Sequence, residues 1–179
     1  WASPAMLLRA HACVVPFRGR SRHELLNELV GWCTAAQPFG ARLLTGASGQ
    51  GKTRLGEELI RRVSAMGWVA GRVVDRPPAD ALAALAMLDR PVLLVVDEAV
   101  ARRELLGHLV TTGRSRNQPV RLLLLARATA YWADLPARPQ FSSITTAPAG
   151  RLEPAEHEPD GRLDAWRDAA VAFASQLAR

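Results

Sequence analysis

The chain has 179 residues, 49% of them hydrophobic, and a formal net charge of +6. That length suits one domain with a buried core. No apolar run approaches the roughly 20 residues of a transmembrane helix, and the N-terminus lacks the layout of a secretory signal, so we expect a cytoplasmic protein without membrane contact. Cys13 and Cys33 lie in apolar settings without the spacing of a metal or redox motif, which predicts two buried free thiols.

The positive charge raises the question of nucleic-acid binding, because clustered cations bind phosphate backbones. The arginines are instead scattered through every segment, and Lys52 is the one lysine in the chain. Richness in Ala, Leu and Arg is what a GC-rich coding sequence produces. We therefore expect a mildly basic, solvated surface, with DNA binding as the lesser alternative.

Helical and extended patterns alternate along the chain. The predicted elements are, in chain order, a loop at 14–20, a helix with Ser21 as its cap, a short strand around Leu43 that breaks at Gly46, a helix from near Gly51, a strand at 68–74, a helix at 80–88, a strand at 92–96, a helix around 105–110, a strand at 120–125 and a final helix at 163–177. The strands at 92–96 and 120–125 are apolar without alternation, which indicates burial on both faces. The proline-rich stretch 136–159 leaves the fifth strand open, either near 142–146 or around Leu152.

Strands that alternate with helices make a parallel sheet covered on both faces, because each crossover must return the chain in the same direction. The sequence therefore predicts an α/β fold. We expect one domain at 21–179, preceded by a lead at 1–20. A start at Trp1 and an end inside a helical pattern further predict that the chain is excised from a longer multidomain protein.

The segment between the first strand and the second helix has the G-x-x-x-x-G-K-[ST] spacing of a phosphate-binding loop. Its residues are Gly46, Ala47, Ser48, Gly49, Gln50, Gly51, Lys52 and Thr53. Glycines let successive backbone N–H groups point at phosphate oxygens, and the helix N-terminus adds positive potential. Lys52 supplies a point charge for the β- and γ-phosphates, and the Thr53 hydroxyl can ligate Mg²⁺. The alternative is a Gly-rich turn with an incidental lysine.

Two carboxylates, Asp97 and Glu98, follow the strand at 92–96, at the strand end where open parallel sheets bind ligands. Asp97 is the candidate magnesium ligand, through the water shell of the ion, and Glu98 is the candidate general base for an attacking water. Alternatively, their negative charges only stabilise the positive N-terminal end of the next helix. Arg127 closes the strand at 120–125 on the same edge and could reach the γ-phosphate, with a surface ion pair as its alternative. Weaker candidates for the same contact are Arg114, Arg116 and Arg121.

On these residues the chain resembles the STAND class of P-loop NTPases, which are AAA+-related and NACHT/AP-ATPase-like, and in particular its Ala- and Arg-rich actinobacterial members. The segment Phe17-Arg18-Gly19-Arg20 is similar to the F-x-G-R box of the family, which borders the adenine, although Ser21 replaces the usual Glu. Residues 93–98 are similar to the Walker B segment with its catalytic acid. Residues 121–127, with Trp132 shortly after, are similar to the sensor strand that ends in its arginine.

The resemblance implies a three-layer αβα fold with five mainly parallel strands in the order 5-1-4-3-2. It also implies ATP and Mg²⁺ as cofactors. The candidate nucleotide-binding residues outside the phosphate loop are Phe17, Arg18 and Gly19, which the resemblance places beside the adenine, and Arg54. The candidate metal ligands remain Thr53 and Asp97, and the candidate catalytic residues remain Lys52, Glu98 and Arg127.

The function implied by the resemblance is a slowly hydrolysing ATPase that serves as the regulatory switch of a signalling protein. Its expected partners are ATP and ADP, other domains of a longer chain such as helical repeats, and copies of itself. The helical lid, winged helix and repeats of the family are not found in this sequence.

Other functions fit less of the sequence. A DNA-associated AAA+ loader or motor is favoured only by the basic charge, and a nucleotide-binding module without turnover stays open. A small-molecule kinase would need a lid and an acceptor pocket and would not need Glu98. A GTPase would be expected to show an Asn-Lys-x-Asp motif, which cannot occur in a chain whose one lysine is Lys52, so ATP is preferred to GTP.

Overall fold

The structure, a computed structural model, describes residues 12–78, 80–127, 148–149 and 162–177. Its helices and strands, in chain order, are α1 (Arg20–Thr34), β1 (Phe39–Thr45), α2 (Lys52–Ala65), β2 (Val69–Arg72), α3 (Ala81–Met87), β3 (Val92–Val96), α4 (Arg103–Arg114), β4 (Val120–Ala126), β5 (Pro148–Ala149) and α5 (Arg162–Leu177), with a 3-10 turn at Ala99–Ala101 between β3 and α4. From α1 to β4, helices and strands therefore alternate as the sequence predicts. None of the described helices has both the length and the apolar composition that crossing a membrane requires.

Four strands form the body of the sheet in the spatial order β2-β3-β4-β1, and every neighbouring pair is parallel. This order confirms the α/β class and the predicted place of β4 between β1 and β3. Among the described residues, Pro148–Ala149 forms β5, which pairs in parallel with Leu43 and Leu44 of β1 on the side away from β4. Both predicted positions for that strand, 142–146 and Leu152, lie outside the described residues, as does Trp132.

Helices cover both faces of the sheet because successive residues of a strand point to opposite sides. On one face, residues of α1 and α2 such as Leu29 and Leu59 pack against Leu93 of β3. On the other face, residues of α4 such as Leu106 pack against Val96 of β3, with α3 alongside. All seven residues of β4 are buried, as its unbroken apolar run predicts. The sheet therefore lies between two layers of helices, α1 with α2 on one face and α3 with α4 on the other.

Two local expectations are wrong. The first helix begins at Arg20 with Gly19 as its N-cap and without a side-chain cap, so Ser21 lies in the first turn instead of capping it. Gly19 has a φ of 98°, a conformation that glycine adopts without strain. Cys33 is buried as predicted, but Cys13 is exposed.

Two of the weaker candidates for phosphate contact are structural residues. Arg121 is fully buried in β4 and donates hydrogen bonds to the carbonyl oxygens of Trp32 (3.1 Å) and Ala35 (2.8 Å), so it satisfies the C-terminal end of α1. Arg116 is also buried and donates to two backbone carbonyl groups. Both arginines lie near the start of β4, whereas Arg127 follows its end, so neither reaches the edge of the sheet where a ligand is expected.

Candidate functional site

The C-terminal ends of β1, β3 and β4 meet at one edge of the sheet, because these strands are parallel neighbours. Thr45, the last residue of β1, pairs with Ala126, the last residue of β4. The segments that follow the three strands are therefore adjacent in space. They are the loop at 46–53, the acidic pair at 97–98, and Arg127. The structure thus brings together three groups of residues that are far apart in the chain.

The loop at 46–53 turns sharply between β1 and α2. Gly49 and Gly51 have φ values of 80° and 85°, which strain any residue that carries a side chain. Residues 47–49 are exposed at the crest of the loop, while Gly46 is buried at the end of the strand. No side chain caps α2 at Gly51, so the first N–H groups of the helix remain available to an anion.

Lys52 holds its ammonium group inside this loop. Its Nζ donates hydrogen bonds to the carbonyl oxygens of Gly46 (2.7 Å) and Ala47 (2.9 Å). Partial burial lowers the pKa of Lys52, Asp97 raises it, and the positive charge of Arg127 lowers it again. Lys52 and Arg127 therefore repel each other, and an anion bound near both would relieve this repulsion and the cost of burying the ammonium group.

Thr53 and Asp97 are in direct contact. The Thr53 hydroxyl donates a hydrogen bond to Asp97 Oδ2 at 2.9 Å, across a separation of 44 residues in the chain. Hydroxyl and carboxylate oxygens are ligands that Mg²⁺ prefers, and this ion is usually held by one or two protein groups together with phosphate oxygens and water. The donor set therefore fits a magnesium ion beside the loop.

Glu98 lies next to this pair in a left-handed conformation, with φ 48° and ψ 42°. Its backbone N–H donates to Asp97 Oδ1 at 2.9 Å. Its carboxylate is 3.7 Å from Arg127 Nη2, and both side chains are more than 70% exposed, at 72% and 75%. Arg127 therefore makes a surface ion pair, and its partner is the candidate general base itself. A pair this exposed contributes little to stability and exchanges easily.

The predicted adenine-side loop precedes α1. Phe17 is partly buried against the core between α1 and α2, and its ring meets the His23 ring edge to face with 5.0 Å between centroids. Arg18 is exposed and forms an ion pair with Asp168 of α5. Gly19 begins α1. The Phe17 ring therefore lies in the loop that precedes α1, and Arg18 is paired with α5.

Two arginines lie near the loop. The side chain of Arg54, a predicted nucleotide-binding residue, turns towards Phe17 and forms an ion pair with Glu58 at 3.2 Å. Arg22 had no predicted role, and its Nη2 donates to the carbonyl oxygen of Gln50 at 3.4 Å. The position of Arg22 in the first turn of α1, directly after the F-x-G-R segment, is the sequence signal that could have found it.

No protein-family profile and no curated protein matches the sequence. Several solved structures do match. The Orc1 protein of Aeropyrum pernix, solved in complex with DNA, has a TM-score of 0.60 at 17% identity, covering 90% of this chain and 51% of its own. The ORC2 protein of the same organism, solved as ADPNP-ADP complexes, has a TM-score of 0.48 at 16% identity, covering 74% of this chain and 48% of its own. PCH-2 of C. elegans has a TM-score of 0.47 at 18% identity, covering 67% of this chain and 41% of its own.

The likeness to Orc1 shows the fold, since the backbones agree over most of this chain while few residues are shared. The chain therefore has the α/β fold of this Orc1 protein. It spans about half the length of Orc1, at 51%.

Proposed function

We propose that the chain binds ATP with Mg²⁺ at the loop 46–53 and hydrolyses it slowly, as the regulatory switch domain of a STAND-type signalling protein. The observation that carries this proposal is the convergence of groups at one edge of the sheet. Lys52 lies inside a glycine-rich loop, Thr53 contacts Asp97, and Glu98 follows directly. These are the groups that triphosphate hydrolysis needs.

Each group has a distinct role in the proposal. Lys52 and the loop N–H groups hold the β- and γ-phosphates. Thr53 and Asp97 would hold the magnesium ion, which would neutralise phosphate charge when bound. Glu98 orients the attacking water and accepts its proton.

Arg127 is proposed to sense the γ-phosphate. Two anions compete for its guanidinium. One is the Glu98 carboxylate, at 3.7 Å, and the other is the γ-phosphate of a bound triphosphate. Since an exposed ion pair is weak, moving from the first partner to the second costs little free energy. The move would also release Glu98 for proton transfer, so that binding and turnover are coupled.

Slow turnover makes the bound nucleotide a state that other parts of a protein can read. In the proposal, the triphosphate orders the segments around the site, hydrolysis resets them, and neighbouring domains of a longer chain or further copies of this domain respond. Phe17, Arg18 and Gly19 are proposed to border the adenine.

Two substitutions test this function. Lys52→Ala removes the ammonium group, so we expect it to abolish Mg·ATP binding in isothermal titration calorimetry. Glu98→Gln keeps the size and exposure of the side chain but not its basicity, so we expect unchanged binding and a loss of single-turnover phosphate release of roughly 100-fold or more. Glu28→Gln, which changes an exposed carboxylate on α1, should alter neither quantity.

The outcomes distinguish three conclusions about the site. Absence of binding heat from a folded wild-type sample removes the proposed function. Turnover that survives Glu98→Gln shows that the base is assigned wrongly. Binding without any wild-type turnover leaves a nucleotide-binding module that does not hydrolyse ATP.

A DNA-associated ATPase is the second candidate, because Orc1 was solved in complex with DNA and the net charge of this chain is +6. Two ion pairs weigh against this candidate. Arg20 pairs with Glu24 and Arg42 with Glu28, so these two cations are already neutralised by carboxylates of α1. Affinity for duplex DNA that falls steeply with salt would favour the second candidate instead.

A further inference from the structure

One stripe of α2 is built around a buried carboxylate. Arg54, Glu58 and Arg61 are spaced four and three residues apart, so their side chains share one side of the helix. The Glu58 side chain is 10% exposed and pairs with Arg54 at 3.2 Å and with Arg61. These hydrogen bonds, that of Arg61 most strongly, lower the pKa of Glu58. Glu58 is therefore ionised and doubly paired, and it holds the Arg54 guanidinium in one place.

The same guanidinium reaches the loop that precedes α1. Arg54 Nη2 donates to the carbonyl oxygen of Val15 at 3.5 Å, and the guanidinium carbon lies 5.6 Å from the centroid of the Phe17 ring. The ring attracts a cation on its face through its quadrupole. One side chain of α2 thus contacts both the backbone and the aromatic ring of the loop.

These contacts join the two sides of the candidate site through a helix. Arg54 directly follows Thr53 in the first turn of α2, so its backbone position is fixed relative to the phosphate loop. Phe17 belongs to the loop expected to border the adenine, and it also packs on His23 of α1. The distance between the phosphate side and the base side is therefore set in part by the Arg54 side chain.

We propose that Arg54 is a positioning residue for the nucleotide base. It holds Val15 and Phe17 in place before the nucleotide arrives, so the loop does not have to order when the base binds, and the base contributes fully to affinity. This inference rests on the proposed function. It adds that Arg54 sets how much the base contributes to the affinity for Mg·ATP.

The test compares Mg·ATP with Mg·tripolyphosphate, which carries a phosphate chain and no base. Arg54→Gln removes the guanidinium from Val15 and Phe17, while Arg61 still pairs with Glu58. We expect the Kd for Mg·ATP to rise roughly tenfold because the loop must then order on binding, and the Kd for Mg·tripolyphosphate to stay unchanged. Both are measured by calorimetry on the full chain.

A matched control is Arg62→Gln, which removes the neighbouring arginine of α2. Arg62 donates to Asn27 at 2.8 Å on the exposed surface, so its loss should change neither Kd. Phe17→Ala should reproduce the selective loss of Mg·ATP affinity. Adding Arg54→Gln to Phe17→Ala should then have little further effect, since both residues act on the base through the same loop.

The outcomes that overturn the proposal are distinct from those that overturn the proposed function. Arg54→Gln protein that keeps the wild-type ratio of the two Kd values, or that loses both ligands equally, contradicts the positioning role. So does wild-type protein that binds the two ligands with the same affinity, because the base then contributes nothing. Wild-type protein that binds neither ligand contradicts the proposed function itself.

Discussion

Glu98 is, with Cys13, one of two described residues other than glycine that adopt a positive φ. A left-handed conformation costs a residue with a side chain about 1–2 kcal/mol. Strain of this kind persists where the surrounding structure fixes the backbone. Here the Glu98 N–H donates to Asp97 Oδ1, and its carbonyl oxygen accepts from Ala101 N at 2.9 Å in the turn that follows. The backbone therefore fixes the position of Glu98, the candidate general base, and its left-handed conformation lowers the stability of the fold.

Replacing Glu98 by glycine separates function from stability. We expect Glu98→Gly to stop turnover and to raise the free energy of unfolding by about 0.5–1 kcal/mol, the left-handed strain less the greater backbone entropy of glycine. Urea denaturation measures the change. Glu98→Gln keeps the strain, so it should show no such gain. Equal stability of the two variants would show that the backbone at this position is not strained.

At the level of elements, a glycine allows α4 to pack closely on the sheet. A Cβ built on Gly113 would lie 2.9 Å from Phe39 Cε2 and 3.1 Å from Val120 Cγ1. Both distances are shorter than the separation of about 3.5–4.0 Å at which carbon atoms pack. A Cβ built on Gly107, six residues earlier in the same helix, meets no atom within 4 Å. One glycine is therefore needed for packing and the other is not.

The two glycines of α4 form a matched pair of substitutions. Gly113→Ala should lower the free energy of unfolding by about 1–2 kcal/mol, because forcing a methyl group against β1 and β4 outweighs the gain in helix propensity. Gly107→Ala should raise it by about 0.5–1 kcal/mol, because only the propensity gain remains. Thermal or urea unfolding of both variants measures these changes. Two changes of the same sign would contradict the close approach at Gly113.

At the level of the whole molecule, the core between α1, α2 and the sheet depends on segments distant in the chain. Leu29 and Cys33 of α1 pack with Leu55 and Leu59 of α2 and with Leu123 of β4. Such a core forms only when the whole sheet is assembled. Exposure of any one of its residues therefore reports on global unfolding.

The reactivity of the Cys33 thiol can therefore be used to measure global unfolding. Its thiol is buried, and burial raises its pKa to about 12, whereas Cys13 is exposed. Since the thiolate is the reactive form, we expect a thiol reagent at pH 8 to modify Cys13 in the native protein and Cys33 only after unfolding. Mass spectrometry after timed labelling in increasing urea measures both sites, with Cys13→Ser isolating the buried thiol. Rapid native modification of Cys33 would contradict the packing of this core.

The local features of the fold could be predicted because they depend on short stretches of sequence. The apolar runs at 92–96 and 120–125 predict buried strands, and the spacing of Gly46, Gly51 and Lys52 predicts a tight turn between a strand and a helix. The structure has each of these elements at its expected place. The helix cap at Ser21 failed because Gly19 already supplies the conformation at which α1 starts.

By itself the sequence determined the phosphate-loop motif, the alternation of helices and strands, and the acidic pair at a strand end, since backbone conformation and apolar periodicity act over a few residues. Only the tertiary structure decided which arginines face the site. Arg121 is drawn into the core, Arg127 contacts Glu98, and Arg54 turns to the loop before α1. The physical reason is that the partner of a long charged side chain depends on strand order and helix packing, which bring together residues far apart in the chain.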